Sequence, residues 1–406
     1  MNLFQIYDAQ KRLDKTIHKT NLERSLTFSE ICGAELFLKC ENLQKTGSFK
    51  VRGAYNKIAV LSENGGVNCV VASSAGNHAQ GVAYAAKERG MEAVIVMPQS
   101  TPIAKVSATQ NYGAKVVLYG DVYDDAYNRA LEIAAEKNAA FVHPFDDEDV
   151  IAGQGTVALE LLADKPDLDA VIVPAGGGGL LAGIAFTLKN INPKIKVIGV
   201  QANRADAICR SFKEKKLVSS DKIFTIADGI AVKTPGKLTF ELINKYVDEM
   251  LSVSDDEIAS TIIQLMERTK QVVEPAGATS LALALSGRTN ITGKKVACVL
   301  SGGNIDVGFI HKIIEKGLVS RGRQMKFSVL LTDKPGALES FARIMGANNA
   351  NIISVQYDRM SAELQLSETI LHIACEVSGF EHGKKLLCEL EKAGYSTVFD
   401  NNKFSL

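Results

Sequence analysis

The sequence contains 406 residues, of which 46% are hydrophobic and 23% are charged, and its 46 basic side chains balance its 46 acidic ones. This composition excludes an intrinsically disordered chain, which combines low hydrophobicity with high net charge. It also argues against a nucleic-acid-binding protein, which usually carries a basic surplus, and the length predicts two or three domains.

The N-terminal segment lacks the basic and apolar regions of a secretory signal peptide. The seven cysteines are scattered and form no C-x-x-C pair, so we expect no disulfide, no metal site and a cytoplasmic location. Residues 170–188 carry no charge and have the length of a membrane span. Pro174 and four consecutive glycines within this stretch instead favour a buried strand, a glycine turn and a helix.

Short β-rich runs alternate with helical patterns over most of the chain. Buried apolar strands that alternate with helices form parallel sheets covered on both faces, so the pattern predicts an α/β fold. Three of the strands end in small polar or glycine-rich turns at residues 73–78, 175–179 and 301–304. Since ligands bind beyond the carboxyl ends of such strands, these turns predict the functional site. The predicted helices include residues 51–60, 79–89 and 124–137, and the predicted strands are residues 69–72, 93–97, 115–118, 170–174, 196–200 and 296–300.

The pattern changes near residue 318. Residues 318–325 are predicted to be a linker, and residues 326–406 a small domain. Its elements occur in the order βαββαβ, which is the ferredoxin-like arrangement. They are predicted as a strand at 326–331, a turn at 332–336, a helix at 337–348, strands at 351–357 and 370–377, a helix at 380–393 and a strand at 396–399.

Lys50 follows a glycine–serine turn and opens an apolar helix. The helix dipole disfavours a cation at this end, which lowers the lysine pKa and favours a neutral amine or a Schiff base. Taken alone, this segment favours an ordinary exposed surface lysine.

The glycine run at residues 176–179 lies between a predicted strand and a predicted helix, where bare backbone N–H groups form a phosphate cradle. Gly177-x-Gly179-x-x-Ala182 also matches the weakly specific G-x-G-x-x-A pattern of nicotinamide cofactor sites. That alternative requires an acidic residue after the next strand, where Gln201 stands, so a single phosphate is favoured.

A Schiff-base lysine combined with a phosphate cradle indicates pyridoxal phosphate. Four motifs, at residues 47–54, 73–81, 176–179 and 301–304, closely resemble those of threonine/serine dehydratases, which are fold-type II pyridoxal-phosphate enzymes. The resemblance covers residues 15 to 316. It implies a catalytic domain at residues 1–317 with two lobes of mainly parallel sheets, the smaller lobe at residues 46–145 being inserted in the larger one.

The resemblance also implies roles for individual residues. Lys50 would carry the cofactor as a Schiff base and move the Cα proton of the substrate. The substrate carboxylate would bind at Ser74, Ala75, Gly76, Asn77 and His78. The remaining cofactor contacts would be Phe49 beside the ring, Asn77 at the phenolic oxygen, Gly176, Gly177, Gly178, Gly179 and the Leu180 N–H at the phosphate, and Ser301 at the pyridine nitrogen.

A neutral hydroxyl at Ser301 would not enforce a protonated pyridine ring, so loss of the β-hydroxyl would be preferred over transamination. The implied reaction converts L-threonine to 2-oxobutanoate and ammonia, and L-serine to pyruvate. Alternatives within the resemblance are an L-serine dehydratase and a serine racemase. Racemases place a serine hydroxyl where this chain has Ala75, and they bind a divalent metal where it has Gln201, Ala205 and Ala207, which lack carboxylates.

Two hypotheses come from other classes. A nicotinamide oxidoreductase leaves Lys50 and Asn77 unexplained, and a non-catalytic amino-acid sensor is disfavoured by the intact Lys50. Residues 143–147, which include His143, are interpreted as a loop turn rather than a catalytic cluster. Residues 274–278 resemble a family segment near the substrate, without an assigned role.

Residues 331–338 resemble part of an ACT regulatory domain. The resemblance implies an amino-acid effector, such as the end products isoleucine or valine, at Asp333, Pro335, Gly336, Ala337 and Leu338. The alternative is an oligomerisation module without a ligand. Family habit implies a homodimer or homotetramer, with no nucleic-acid or membrane partner.

Overall fold

A computed structural model describes residues 1–220, 222–360 and 364–399 of the protein. The chain divides into two compact units, Met1–Asp306 and Val307–Leu406.

Helices and strands alternate along the first unit. Its strands are β1 (Leu22–Arg24), β2 (Glu35–Lys39), β3 (Cys69–Ser73), β4 (Glu92–Met97), β5 (Lys115–Leu118), β6 (Ala140–Phe141), β7 (Ala170–Pro174), β8 (Lys196–Ala202), β9 (Glu249–Val253) and β10 (Lys295–Val299). Its helices are α1 (Leu3–Leu13), α2 (Leu26–Cys32), α3 (Lys50–Asn64), α4 (Asn77–Glu88), α5 (Ile103–Asn111), α6 (Tyr123–Glu136), α7 (Glu148–Asp164), α8 (Gly179–Ile191), α9 (Ala207–Glu214), α10 (Lys237–Tyr246), α11 (Asp255–Thr269) and α12 (Pro275–Leu285).

The strands form two sheets. The larger sheet has the order β1-β2-β10-β7-β8-β9 and the smaller one has the order β5-β4-β3-β6. All neighbouring strands are parallel except β1 and β2, which are antiparallel. The whole smaller sheet lies between β2 and β7 in the chain. The predicted two-lobed α/β fold is therefore confirmed.

The six predicted strands of this unit all form, with ends that differ by at most two residues. Each is a short apolar run, and β7 is buried along its whole length. The sequence pattern does not predict β1, β2, β6 and β9. Three of these strands have charged ends, and β6 has only two residues, so local pattern marks none of them as a buried apolar run.

Close packing of α7 positions the helix that carries Lys50. A Cβ on Gly153 would lie 2.5 Å from the carbonyl oxygen of Arg52, and a Cβ on Gly183 would lie 2.5 Å from that of Ile151. Only glycine permits these approaches, so α7 can pack tightly against both α3 and α8. The stretch 170–188 folds as β7 followed by α8, and no helix among the described residues is long and apolar enough to cross a membrane.

The second unit contains α13 (Val307–Ser320), β11 (Gln324–Thr332), α14 (Ala337–Ala347), β12 (Asn351–Asp358), β13 (Glu368–Glu376), α15 (Phe380–Lys392) and β14 (Thr397–Phe399). Its antiparallel sheet has the order β12-β13-β11-β14, so the predicted ferredoxin-like βαββαβ fold is confirmed. Residues 361–363 and 400–406 of the predicted domain lie outside the described residues.

The interpretation of residues 318–325 as a linker needs correction. Residues 318–320 form the end of α13, and residues 324 and 325 already pair with β13. Ile313 and Gly317 lie on the buried face of α13, and the helix continues past this face into the polar segment. The boundary between the compact units lies at Asp306, before the predicted boundary at residue 317.

Candidate active site

Lys50 is the first residue of α3, and its Nζ atom donates a hydrogen bond to the carbonyl oxygen of Pro144 at 2.8 Å. Removal from water lowers the pKa of the Lys50 amine to about 8, although the nearby Glu274 opposes this shift. The amine can therefore lose its proton close to neutral pH, as a nucleophile or general base must.

A buried ion network anchors the first turn of α3. The Arg52 guanidinium contacts Glu41 at 2.7 Å and Glu160 at 2.6 Å, and the Lys39 ammonium also contacts Glu160 at 2.6 Å. Arg52, Lys39 and Glu41 are fully buried. Two cations balance two carboxylates, which is the condition under which charges are tolerated inside a protein. The network restrains the helix start from which Lys50 projects.

The four-glycine loop connects β7 to α8. A Cβ on Gly177 would lie 2.3 Å from the ring of Phe145, and Gly178 has φ of +99°, which side chains rarely adopt. Gly176 and Gly179 complete this loop, and Leu180 lies in the first turn of α8. The N–H groups of that turn have no partner within the helix and the dipole favours an anion there, so the loop is suited to phosphate.

The loop at residues 143–147 is a turn, as predicted, but it also contacts the site. The His143 Nδ1 atom accepts from the backbone N–H groups of Phe145 at 3.3 Å and Asp146 at 2.8 Å, which shapes the turn. The same turn presents the Pro144 carbonyl to Lys50 and the Phe145 ring to the glycine loop. The sequence analysis missed these contacts because they join segments far apart in the chain.

Asp146 connects this turn to the start of α10. Its carboxylate accepts from the backbone N–H groups of Lys237 at 3.0 Å and Thr239 at 3.1 Å. The Thr239 hydroxyl in turn donates to the carbonyl oxygen of Gly177 at 2.7 Å. The Asp146 cap of α10 therefore restrains the glycine loop through the bond from Thr239 to Gly177.

Asn77 joins two of the other motifs. Its Nδ2 atom donates to both carboxylate oxygens of Glu274, at 2.8 and 3.0 Å. Its Oδ1 atom accepts from Asn304 Nδ2 at 2.8 Å, and Asn304 also donates to the carbonyl oxygen of Thr46 at 2.7 Å. The sequence analysis gave no role to Asn304 or Glu274. The only indication of a role for these two residues in the sequence is that they lie in the segments 301–304 and 274–278.

Ser301 and Phe49 meet near the carboxyl end of β10. The Phe49 N–H donates to the carbonyl oxygen of Ser301 at 3.1 Å, and the Phe49 ring centre lies 5.4 Å from Lys50 Nζ. Ser301 is buried, and its hydroxyl makes no hydrogen bond to another described residue. This hydroxyl is thus free to bond a ring nitrogen.

The Ser74–His78 segment leads from β3 into α4. The Ser74 hydroxyl accepts from the Gly76 N–H at 3.2 Å, and α4 begins at Asn77 with backbone N–H groups suited to a carboxylate. Ala75 packs partly buried against the apolar core of the smaller lobe. His78 is buried and donates from Nε2 to the carbonyl oxygen of Val142 at 2.9 Å, while its Nδ1 atom has no hydrogen-bond partner among the described residues. Burial lowers the pKa of His78 to about 3, so its ring is neutral.

These features satisfy the chemical needs of pyridoxal phosphate. The site contains an amine that can deprotonate, a glycine loop without side chains, an amide at Asn77 and a Ser301 hydroxyl that bonds no other described residue. The site offers no comparable donor set for a metal. Gln201 Oε1 accepts from the Cys209 N–H at 2.9 Å, and no group of three or more His, Cys, Asp or Glu side chains within the described ranges is arranged to hold a metal ion.

The predicted effector residues lie together in the second unit. Gly336, with φ of +85°, precedes the first residue of α14, Ala337. A surface cleft of about 550 Å³ is formed there, and the Asp333 carboxylate within it is held by Arg359 at 3.1 Å. The cleft is lined by Asp333, Lys334, Pro335, Gly336, Leu338, Glu339, Tyr357 and Arg359.

Known proteins resemble the chain over most of its length. The L-threonine ammonia-lyase of Thermotoga maritima is 47% identical over 97% of this chain and 98% of its own length. Among solved structures, processed threonine deaminase isoform 2 from Solanum lycopersicum is 35% identical with a TM-score of 0.74, covering 77% of this chain and 87% of its own. Serine racemase from Dictyostelium discoideum is 40% identical with a TM-score of 0.72, covering 76% of this chain and 99% of its own.

The family model described as "Pyridoxal-phosphate dependent enzyme" matches residues 13–302. The matched residues include Lys50, the glycine loop and Ser301, and the match extends beyond half of the chain. This protein belongs to the family of pyridoxal-phosphate-dependent enzymes.

Proposed function

We propose that the protein eliminates water from L-threonine and releases 2-oxobutanoate and ammonia, and that it converts L-serine to pyruvate in the same way. The observation that carries this proposal is the Lys50 amine, which can deprotonate near neutral pH and lies in the same site as the glycine loop. The L-threonine ammonia-lyase of Thermotoga maritima supports the choice of substrate.

When bound, pyridoxal phosphate supplies an electron-withdrawing ring that acidifies the Cα–H bond of an attached amino acid. The Nζ atom of Lys50 takes that proton, and the β-hydroxyl leaves as water once it has gained a proton. The released enamine is hydrolysed by water to the 2-oxo acid and ammonia, so one water is lost and one is consumed. The N–H groups at the start of α4 and the Ser74 hydroxyl hold the substrate carboxylate.

The remaining site residues are assigned to the cofactor. Gly176 to Gly179 and the Leu180 N–H hold its phosphate, Asn77 bonds its phenolic oxygen, Phe49 packs beside its ring and Ser301 faces its pyridine nitrogen. The smaller lobe at residues 46–145 carries the substrate segment. Two observations support these assignments. The Ser301 hydroxyl makes no hydrogen bond to another described residue, and side chains at Gly177 and Gly178 would collide with Phe145 and Ile243, so the backbone of the loop stays bare.

Racemisation is less well supported. A second proton carrier on the opposite face of the substrate would be needed, and the position at which racemases place a serine is Ala75, whose methyl group carries no proton. The resemblance to serine racemases in overall fold does not supply that group. We expect chiral chromatography of L-serine reactions to find pyruvate with little D-serine, and rapid D-serine formation would contradict the proposal.

One experiment tests the reaction. The purified protein should show the visible absorbance of bound pyridoxal phosphate and should produce 2-oxobutanoate from L-threonine. Lys50→Ala should abolish both signals, whereas the matched control Lys45→Ala, which removes an exposed lysine bonded to Tyr84, should retain both. A colourless protein that makes no 2-oxo acid would refute the assignment.

We also propose that the second unit is an ACT-type regulatory domain of a cytoplasmic homodimer or homotetramer. An amino-acid effector, such as isoleucine or valine, would bind at Asp333 and Pro335 to Leu338, as expected if the enzyme serves isoleucine synthesis. The ferredoxin-like fold and the cleft at the start of α14 support this site, and seven unpaired cysteines suit a reducing compartment. Thermal unfolding with each amino acid, repeated with Asp333→Ala, tests effector binding, and light scattering tests the assembly.

A further inference from the structure

Glu274 is a buried carboxylate that has no ion-pair partner among the described residues. Only 5% of its surface is exposed. It lies at the N-cap of α12, and its backbone N–H donates to the carbonyl oxygen of Gly302 at 3.0 Å. Both side-chain oxygens accept from one atom, Asn77 Nδ2, at 2.8 and 3.0 Å. Burial of a carboxylate that bonds only one neutral amide is costly, and such groups are frequent at functional sites.

The orientation of the Asn77 amide follows from its neighbours. The carbonyl oxygen of Thr46 can only accept a hydrogen bond, so the Asn304 atom 2.7 Å away is the nitrogen. That nitrogen also lies 2.8 Å from Asn77, which must therefore present its oxygen to Asn304 and its nitrogen to Glu274. Glu274 therefore accepts from the Asn77 amide nitrogen, and this nitrogen carries a second hydrogen.

This arrangement depends on the charge of Glu274. An ionised carboxylate accepts strongly from an amide N–H, whereas a protonated carboxyl turns one oxygen into a donor and weakens the contact. Burial raises the pKa of Glu274 to about 7 against the lowering effect of the Asn77 hydrogen bond. The charged groups that act on it are Asp228, which raises the pKa, and Lys105 and Lys50, which lower it.

We propose that Glu274 is a positioning residue whose ionised carboxylate holds the Asn77 amide with its free N–H available to the cofactor, and whose protonation releases that amide. The inference deepens the proposed function and rests on the role proposed there for Asn77. Cofactor binding should therefore weaken when Glu274 gains a proton.

Equilibrium titration of the cofactor-depleted protein with pyridoxal phosphate, between pH 5.5 and pH 8.5, tests this inference. The wild-type Kd should rise about threefold to tenfold on the acid side, which corresponds to the net contribution of one ordinary hydrogen bond. The amide introduced by Glu274→Gln cannot titrate, so the rise of the cofactor Kd on the acid side should be absent in this variant. Titration of the cofactor phosphate is common to both proteins. The Lys50 pKa, which Glu274 raises, is lower in the variant, so the Asn77 variants below complete the comparison.

Two further variants test the direction in which neighbouring charges shift the Glu274 pKa. Asp228→Asn removes a charge that raises the Glu274 pKa, so the midpoint should move to lower pH, whereas Lys105→Gln should move it to higher pH. Asp228 and Lys105 form one ion pair at 3.0 Å, so loss of that contact is common to both variants. Opposite shifts would support the inference, and shifts in the same direction or no shifts would overturn it.

Asn77→Ala separates this inference from the proposed function. If it leaves the cofactor Kd and visible absorbance unchanged, the role proposed for Asn77 is wrong. If it weakens binding while Glu274→Gln keeps the wild-type pH step, only the positioning role is wrong. If Glu274 acts through Asn77, the double variant should bind like Asn77→Ala alone, and additive losses would overturn the inference.

Discussion

The Nζ atom of Lys50 lies 2.8 Å from the carbonyl oxygen of Pro144, a residue 94 positions further along the chain. This contact joins the first turn of α3 to the turn that precedes α7. The same turn places Phe145 against the glycine loop, so one short segment contacts both the Lys50 amine and that loop. The geometry of the site therefore depends on residues outside the recognised motifs.

The lowered pKa of Lys50 predicts a pH-dependent stability of the cofactor-free protein. The folded-state pKa is about 8 and the ordinary value is 10.5, so between these values the unfolded chain binds more protons. Stability relative to Lys50→Met should therefore rise through this window, by about 3 kcal/mol, and be constant below it. Denaturant unfolding at several pH values measures this difference, and parallel curves for the two proteins would contradict the shift.

A methyl group on Gly177 should damage the phosphate cradle. The added Cβ of Gly177→Ala would lie 2.3 Å from the Phe145 ring, so either the ring or the loop must move. We expect the cofactor Kd to rise by at least about tenfold, a loss of roughly 1.4 kcal/mol. Gly346→Ala is the control, since it lies within α14 with open space around it and should leave cofactor binding unchanged. Equal Kd values for both variants would disprove the close approach.

Loss of Arg52 should strongly destabilise the first unit. Arg52→Met leaves Glu41 without its guanidinium partner in a fully buried position, which costs about 3–5 kcal/mol of unfolding free energy. Arg52→Met combined with Glu41→Leu should recover part of this loss. The control is Arg343→Met, which removes an exposed pair with Glu339 and should change the unfolding midpoint little. Comparable midpoints for the two single variants would show that the buried network is not structurally important.

The Asp146 cap should affect cofactor binding as well as stability. Asp146→Ala removes the acceptor for the first N–H groups of α10, at a cost of about 1 kcal/mol in stability. Because Thr239 in that turn bonds the Gly177 carbonyl, cofactor affinity should fall too. Asp147→Ala removes the cap of α7 and is the matched control, with a similar loss of stability but nearly unchanged affinity. Parallel thermal unfolding and cofactor titrations distinguish the two, and equal affinity losses would argue against a specific link.

Local pattern predicted the regular elements well where one residue class dominates a segment. β7 is an example, since its five apolar residues are all buried. Prediction failed for β2, whose terminal Lys39 is fully buried and pairs with Glu160. A lysine normally marks an exposed position, and only a counter-charge from a distant helix reverses that preference.

The sequence by itself determined the two fold classes, six strands of the first unit, the βαββαβ order of the second unit and the motifs of the cofactor site. These depend on local properties, namely apolar runs that become strands and glycines that leave backbone N–H groups bare. Only the tertiary structure decided that Glu274 meets Asn77 across 197 residues and that Pro144 meets Lys50. The reason is physical, because a buried polar group takes its partner from whichever segment packs beside it, and local periodicity carries no information about that neighbour.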